Sequence, residues 1–199
     1  MKILKLSATD PGKFGSRRVR HRSEESGEKQ KQLNLFTTGR VLTLHSMAPF
    51  EEALILDEKG EVAAAKRLYQ RAIEQGDQPA NACCNLGILL AQEGELVKAI
   101  SMLTQSLKHD PRHLEAHFNL ANLYVDAGNL ELGKLHYQIS LEIDPGFLNS
   151  YYNLGLALAE AGDYEEAVSV LSEYCRLTAM EERGPVQELI AKLRHMSAC

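Results

Sequence analysis

The stretch LGILLAQEG at residues 86–94 recurs in related form as LANLYVDAG at residues 120–128 and as LGLALAEAG at residues 154–162. The glycines that end these stretches stand 34 residues apart, and Gly60 extends the same spacing toward the N-terminus. Ordinary loops vary in length, so a spacing this regular predicts a tandem array of one supersecondary unit.

Each unit has the pattern of a helical hairpin. Apolar residues recur at helical spacing, and small residues occupy the places where two antiparallel helices must approach closely. The glycine at the turn supplies a left-handed C-cap for the first helix, and Pro111 and Pro145 close the second helix of their units. The predicted helices are 49–59, 62–75, 80–93, 96–108, 114–127, 130–142, 148–161 and 164–178.

The repeated unit resembles that of the tetratricopeptide repeat (TPR) family in its 34-residue period, its Leu-Gly or Leu-Ala pair, its later Ala and its closing Pro. The resemblance covers residues 46–179 and implies an all-α fold, an α-solenoid of about four TPR helical hairpins. A C-terminal helix over residues 185–196 carries an apolar stripe that predicts a capping helix within 180–199. Residues 1–45 are predicted to form a basic, largely disordered tail. Short apolar segments at 2–6 and 41–45 within it are strand-like or dock on the first repeat.

Composition and motifs favour a non-enzymatic protein of the cytoplasm. No run of residues approaches the ~18 consecutive apolar residues of a membrane span, so we expect no membrane partner. The four cysteines lack metal-ligand spacing and are interpreted as reduced thiols. His113 and His117 lie four residues apart, but no acidic or Cys partner completes a metal set. The sequence carries no phosphate loop or nucleophile motif, so no cofactor is predicted.

Charge is distributed unevenly along the chain. Residues 1–31 hold nine Lys or Arg against four Asp or Glu, whereas residues 32–199 hold 13 against 23. The tail and the body should therefore attract each other. A solvated tail, docking of the tail on the acidic body and contact of the basic tail with nucleic acid remain alternatives; elsewhere in the chain no nucleic-acid partner is expected.

The family resemblance implies that the first helix of each unit lines a concave groove, which is the usual binding surface. Asn85, Asn119 and Asn153 recur in register along it. Because an amide both donates and accepts, such a ladder can hold an extended chain without reading its sequence; alternatively, Asn is merely common at this place in the repeat. The predicted groove comprises Asn81, Asn85, Gln92, Glu115, Phe118, Asn119, Asn122, Asp126, Asn149, Tyr152, Asn153 and Glu160.

The charge of the groove indicates the kind of partner. Some members of the family bind a C-terminal carboxylate through Lys and Arg on these helices, but the predicted groove has neither. Its charged members are Glu115, Asp126 and Glu160, which would repel an acidic tail. The expected partner is therefore another protein or a peptide segment that is neutral or basic.

A second motif lies in the tail, Gln32-Leu33-Asn34-Leu35-Phe36. It resembles the Gln-Leu-x-Leu-Phe peptide by which bacterial replication and repair proteins dock on the sliding clamp. The alternative function is therefore an adaptor recruited to DNA-bound machinery through residues Gln32, Leu33, Leu35 and Phe36. The competing interpretation is that Leu33, Leu35 and Phe36 pack on the first hairpin.

Overall fold

The computed structural model describes residues 14–20 and 47–197, which hold nine α-helices, one 3₁₀ turn and no strand. The all-α expectation is thus confirmed. The α-helices are α1 (Pro49–Glu58), α2 (Val62–Gln75), α3 (Pro79–Gln92), α4 (Leu96–His109), α5 (Leu114–Asp126), α6 (Leu130–Ile143), α7 (Leu148–Ala161), α8 (Tyr164–Leu177) and α9 (Gly184–Ser197).

The first eight of these helices form four hairpins in series. Within the described residues, each helix packs most extensively on its hairpin partner, and neighbouring hairpins meet through α2 and α3, α4 and α5, and α6 and α7. No helix in this part of the chain is long and apolar enough to cross a bilayer. The result is a solenoid in which each unit contacts mainly its neighbours.

The glycines that set the 34-residue period occupy the hairpin turns. Gly60, Gly94, Gly128 and Gly162 have φ of +78°, +81°, +78° and +92°, which confirms the predicted left-handed conformation. The helices α4 and α6 both end two residues before a proline, as predicted. Local turn chemistry therefore fixes where the helices of each unit stop.

Small residues allow the two helices of a hairpin to approach closely. Ala65, Ala99 and Ala167 are fully buried. At Gly155 an added Cβ would lie only 2.5 Å from Leu171 Cγ on α8. Large side chains such as Tyr69 and Tyr137, both fully buried, fill the space beside these close approaches.

The last helix covers the open end of the fourth hairpin. Val186, Leu189, Ile190 and Leu193 of α9 are buried and join the core cluster that includes Leu171 on α8. A 3₁₀ turn, Met180–Glu182, precedes α9 and was not predicted. The apolar stripe of α9 thus has the partner surface that the sequence required.

Three of the cysteines are described, Cys83, Cys84 and Cys175, and all are buried, unpaired thiols. Burial raises the pKa of Cys83 to about 11 and raises the pKa of the other two thiols as well. Cys199, the apolar segments 2–6 and 41–45 and the motif at residues 32–36 lie outside the described residues.

Candidate peptide-binding groove

Residues 14–20, with the sequence FGSRRVR, lie along the first helices of the repeats. Phe14 contacts α7, Arg17 contacts α5 and Val19 contacts α3, so the segment runs from the fourth repeat toward the first. Of the alternatives left open for the tail, these seven residues therefore follow docking on the body and not solvation. Their contacts are mainly backbone hydrogen bonds and ion pairs, which a hydrophobicity pattern does not report.

Three asparagines hold the backbone of this segment. The Oδ1 atoms of Asn153, Asn119 and Asn85 accept the N–H groups of Phe14, Arg17 and Val19 at 2.7, 2.9 and 2.9 Å. Their Nδ2 atoms donate to the carbonyl oxygens of the same three residues at 2.8, 2.8 and 3.0 Å. We call these residues the asparagine ladder, since each amide bonds both backbone groups of one residue in the segment.

Each ladder amide also donates its second N–H to the array itself. The partner is the Tyr69 hydroxyl for Asn85, at 3.2 Å, and Asn122 Oδ1 for Asn153, at 2.8 Å. Asn119 Nδ2 lies 3.8 Å from Cys84 Sγ, a long and weak contact. These bonds help to hold the amides in the orientation that pairs with the segment, and with the segment in place all three side chains are buried.

Side chains of the segment make specific contacts as well. The Phe14 ring meets Tyr152 edge to face, with centroids 5.2 Å apart, and the Arg17 guanidinium carbon lies 5.0 Å from the centre of the Phe147 ring. Arg18 Nη1 lies 2.8 Å from Asp57 Oδ1, and the other terminal nitrogen donates to Gln92 Oε1 at 3.0 Å.

The other predicted groove residues divide into three groups, of which two lie at the surface. Asn81, Gln92, Glu115 and Asn149 line the cleft together with the docked segment. Asp126 and Glu160 are exposed near the C-terminal ends of α5 and α7.

Two residues assigned to the groove lie behind it instead. Phe118 is fully buried, with its ring packed on Tyr137 and Phe147, so it belongs to the core. Asn122 is buried too, and its Oδ1 accepts from the Tyr137 hydroxyl at 2.6 Å as well as from Asn153. It supports a ladder amide.

Sequence analysis missed Asp57 and Phe147. Asp57 falls on the apolar stripe of α1 that also contains Phe50 and Ala53, and an acid on a buried stripe is a signal that a partner is needed. Burial raises the pKa of Asp57, whereas the Arg18 charge and the Tyr69 hydroxyl oppose that rise. Phe147 lies in the connection before α7, where helical periodicity gives no guidance.

The cleft and the segment have opposite charges. Arg17, Arg18 and Arg20 of the segment line the cleft. The array contributes five acidic lining residues, Asp57, Glu58, Asp110, Glu115 and Asp144, against one basic residue, Arg112, which was not predicted there. Electrostatic attraction therefore adds to the hydrogen bonds of the asparagine ladder.

Of the two histidines noted in the sequence, His117 packs between α5 and α6. His113 caps α5, with Nδ1 accepting the Ala116 N–H at 3.2 Å, and its Nε2 lies 2.9 Å from Asn81 Oδ1 on α3. His117 Nδ1 lies 2.9 Å from His136 Nδ1, and His117 Nε2 lies 3.1 Å from the Pro111 carbonyl oxygen. Burial lowers the pKa of His113 and His117, and it lowers that of His136 to about 4. No three His, Cys, Asp or Glu side chains among the described residues are arranged to hold a metal ion.

Comparison with known proteins agrees with this architecture. Family profiles described as tetratricopeptide repeat match residues 50–102, 90–132 and 136–169. No curated protein matches the chain in sequence.

Several solved structures share the fold at low sequence identity. A structure of MamA AMB-1 is 20% identical with a TM-score of 0.64, covering 75% of this chain and 81% of that chain. A tetratricopeptide repeat protein from Parabacteroides merdae is 20% identical with a TM-score of 0.66, covering 75% and 59% of the two chains. The first TPR of Spaghetti (RPAP3), bound to the HSP90 peptide SRMEEVD, is 17% identical with a TM-score of 0.55, covering 60% and 94%.

The profiles match three successive parts of the array, and the solved relatives share its hairpin solenoid. The resemblance drawn from the 34-residue period is thereby confirmed. The chain belongs to the tetratricopeptide-repeat family, a family of protein–protein interaction scaffolds.

Proposed function

We propose that the array is a scaffold that binds an extended segment of a partner protein in its concave groove through the asparagine ladder. Residues 14–20 are the intramolecular occupant of the same groove, and the partner segment exchanges with them. The observation that carries this function is the pairing of each ladder amide with both backbone groups of one residue of an extended chain.

The geometry of the ladder is also suited to a segment whose sequence differs from that of residues 14–20. Every residue except proline offers one N–H and one C=O, so contacts of this type accept many sequences. The amides are held by the array as well as by the segment. The binding of a peptide by another TPR domain, that of RPAP3, is consistent with the same use of the fold.

The intramolecular occupant should weaken partner binding. A tethered segment has an effective concentration on the order of millimolar, whereas a short anchored peptide typically binds in the micromolar range, about −8 kcal/mol. Residues 14–20 would then lower the apparent affinity of a partner segment by roughly a hundredfold or more. Release of this segment would open the groove.

This function is tested by adding residues 13–21 as a fluorescent peptide in trans. The acceptor is a full-length variant with Phe14→Pro, Arg17→Pro and Val19→Pro and with Gly or Ser at residues 15, 16, 18 and 20. This segment offers no N–H group to the ladder, so the groove is vacated while chain length is kept. We expect micromolar binding to this variant, and binding weaker by roughly a hundredfold to the parent chain. Fluorescence anisotropy measures both.

The matched control combines the vacated groove with Ala at Asn85, Asn119 and Asn153. Peptide binding should be lost in this control, provided that its circular dichroism spectrum matches that of the vacated variant. Equal binding with and without the ladder amides would contradict the proposal.

The motif Gln32-Leu33-Asn34-Leu35-Phe36 favours the alternative function, recruitment to a bacterial sliding clamp. It lies between residue 20, the end of the docked segment, and Met47, where description of the array begins. A linear motif between two parts of one chain can bind without disturbing the groove. The two functions are therefore compatible and are tested separately.

A synthetic peptide covering residues 29–39 is expected to bind a bacterial sliding clamp in the micromolar range if this alternative holds. Phe36→Ala should cost the most affinity, because an aromatic side chain buried in a pocket is the usual energetic anchor. Isothermal titration calorimetry measures both peptides. Absence of heat at high micromolar concentration would exclude the clamp and leave Leu33, Leu35 and Phe36 as packing residues.

A further inference from the structure

One end of the groove contains a cluster of polar groups that surrounds the Arg18 guanidinium. Asp57 Oδ1 on α1 lies 2.8 Å from Arg18 Nη1 as an ion pair, and Gln92 Oε1 on α3 accepts a hydrogen bond from Arg18 Nη2 at 3.0 Å. The Asp57 side chain is only 2% exposed, whereas the Arg18 side chain is 32% exposed. The buried member of the pair therefore belongs to the array, and the segment supplies the cation.

An empty groove would leave the buried Asp57 carboxylate without a cation beside it. Within the described residues its side chain accepts a hydrogen bond from the Tyr69 hydroxyl, at 3.3 Å, and this hydroxyl supplies no positive charge. A carboxylate removed from water without a cation is strongly destabilised. Burial indeed raises the pKa of Asp57, and the Arg18 charge is the largest opposing influence. The free energy of this ion pair therefore favours any occupant that places a cation here.

The geometry selects arginine over lysine. The two acceptors stand on different helices and are engaged by separate nitrogens, Nη1 and Nη2, at the same time. A guanidinium can place one terminal nitrogen against the Asp57 carboxylate while the other donates to Gln92, whereas an ammonium is a single point charge on a flexible stem.

Hydrogen bonds link this cluster to the asparagine ladder. Asp57 Oδ2 accepts from the Tyr69 hydroxyl, and that hydroxyl accepts from Asn85 Nδ2. Asn85 in turn holds the backbone of Val19, the residue after Arg18. The register is therefore fixed, because the guanidinium must come from the residue directly before the one that Asn85 holds.

Side chains of the segment nearer the fourth repeat also have specific partners on the array. Phe147 offers a ring face to the cation of Arg17, and Tyr152 meets the ring of Phe14. Val19 packs against the apolar cluster formed by α3, α4 and α5. An aromatic residue, two arginines and an aliphatic residue thus each have a defined place along the groove.

We infer that Asp57 and Gln92 form an arginine subsite, and that the partner segment is a basic linear motif of the form aromatic-x-x-Arg-Arg-aliphatic. This inference rests on the proposed function, since it names the chemistry of the segment that the asparagine ladder holds. It adds sequence selectivity to a ladder that by itself reads only backbone. The segment FGSRRV of this chain is the intramolecular example of the motif.

Peptides of residues 13–21 test the subsite against the full-length variant with the vacated groove. Replacing Arg18 by Lys in the peptide should weaken binding about tenfold or more, and replacing it by Gln should weaken it further, because the ion pair with a buried acid is then lost. The matched control peptide carries Arg20→Lys, which keeps the total charge and should bind within about twofold of the parent peptide.

The array is varied in parallel. Gln92 is exposed, so Gln92→Ala should fold normally, weaken the Arg18 peptide and leave the affinity of the Gln peptide unchanged. Asp57→Asn should narrow the preference for Arg over Gln to within about threefold. Thermal melts establish that both variants are folded.

The outcomes separate this inference from the function on which it rests. Equal affinity of the Arg18, Lys and Gln peptides, together with loss of binding when the ladder is removed, would overturn the arginine subsite and leave the ladder function standing. Absence of binding by every peptide would overturn both. A preference for Arg18 that disappears in Asp57→Asn supports the subsite.

Discussion

The triple variant Asn85→Ala, Asn119→Ala, Asn153→Ala is expected to release residues 14–20 from the groove of the otherwise unmodified chain. It removes six hydrogen bonds to the segment backbone. At about 1 kcal/mol of net stabilisation each, even half of them correspond to roughly a hundredfold change in occupancy. The Arg18 ion pair alone should not hold the segment in place.

Amide hydrogen exchange measures this release directly. The N–H groups of Phe14, Arg17 and Val19 should be protected in the parent chain and should exchange like an unstructured peptide in the triple variant. The control is Asn149→Ala, at a residue that lines the same cleft and lies outside the ladder. If protection of the three amides persisted in the triple variant, the ladder would not be what holds the segment.

The fold should survive the triple substitution with a modest loss of stability. The ladder amides are buried beneath the segment, and those of Asn85 and Asn153 also donate hydrogen bonds to the array. After their removal the Tyr69 hydroxyl still bonds Asp57, and Asn122 Oδ1 still bonds the Tyr137 hydroxyl. Few buried polar groups are therefore left without a hydrogen-bond partner. A thermal melt measures the loss of folding stability in the triple variant.

The repeat period made the helices predictable. The bounds of α2 and α7 agree with the prediction, and the other seven α-helices differ from it by one residue at an end or at both ends. Glycine turns and small contact residues recur in register, so four copies of one signal support each assignment. The 3₁₀ turn Met180–Glu182 lies outside the repeats, so the repeat pattern could not predict it.

The groove was less predictable because neighbouring positions on a helix face different surroundings. Phe118 precedes Asn119 by one residue, which rotates its side chain by about 100° around the helix axis. That rotation places Phe118 in the core while Asn119 faces the segment. Carry-over from the family identified the helices of the groove, but the exact boundary of its surface depends on packing between hairpins.

The docking of residues 14–20 in the groove could not be predicted from the composition of this segment. Residues 14–20 carry three arginines and little apolar surface, which is typical of a solvated chain. Their position depends on long-range matches, such as Phe14 with Asn153 and Arg18 with Asp57. Opposite charge of tail and body indicated attraction, but only the structure brings particular groups together.

Gly155→Leu is expected to destabilise the array by about 1–3 kcal/mol or more. An added Cβ alone would lie 2.5 Å from Leu171 Cγ and 2.6 Å from Leu171 Cδ2, closer than carbon atoms can approach. Leu171 is fully buried and packs in the cluster that includes Tyr152 and Leu189, so it has no free space to enter. Removing a glycine from a helix gains at most about 1 kcal/mol, which does not offset the overpacking.

A thermal melt of Gly155→Leu should show a lower midpoint, by about 2–4 °C for each kcal/mol lost in a chain of this size. The control is Gly184→Leu, because an added Cβ at Gly184 meets nothing within 4 Å. Its midpoint should remain close to that of the parent.

A double-mutant cycle then tests the cause. Leu171→Ala alone should destabilise by creating a cavity, at a cost of about 2–5 kcal/mol. Combined with Gly155→Leu, the new side chain can occupy part of that cavity, so the double variant should be more stable than the sum of the two single effects predicts. Strict additivity would mean that residue 155 does not press on Leu171, and the close approach of α7 and α8 would then need another explanation than the small residue between them.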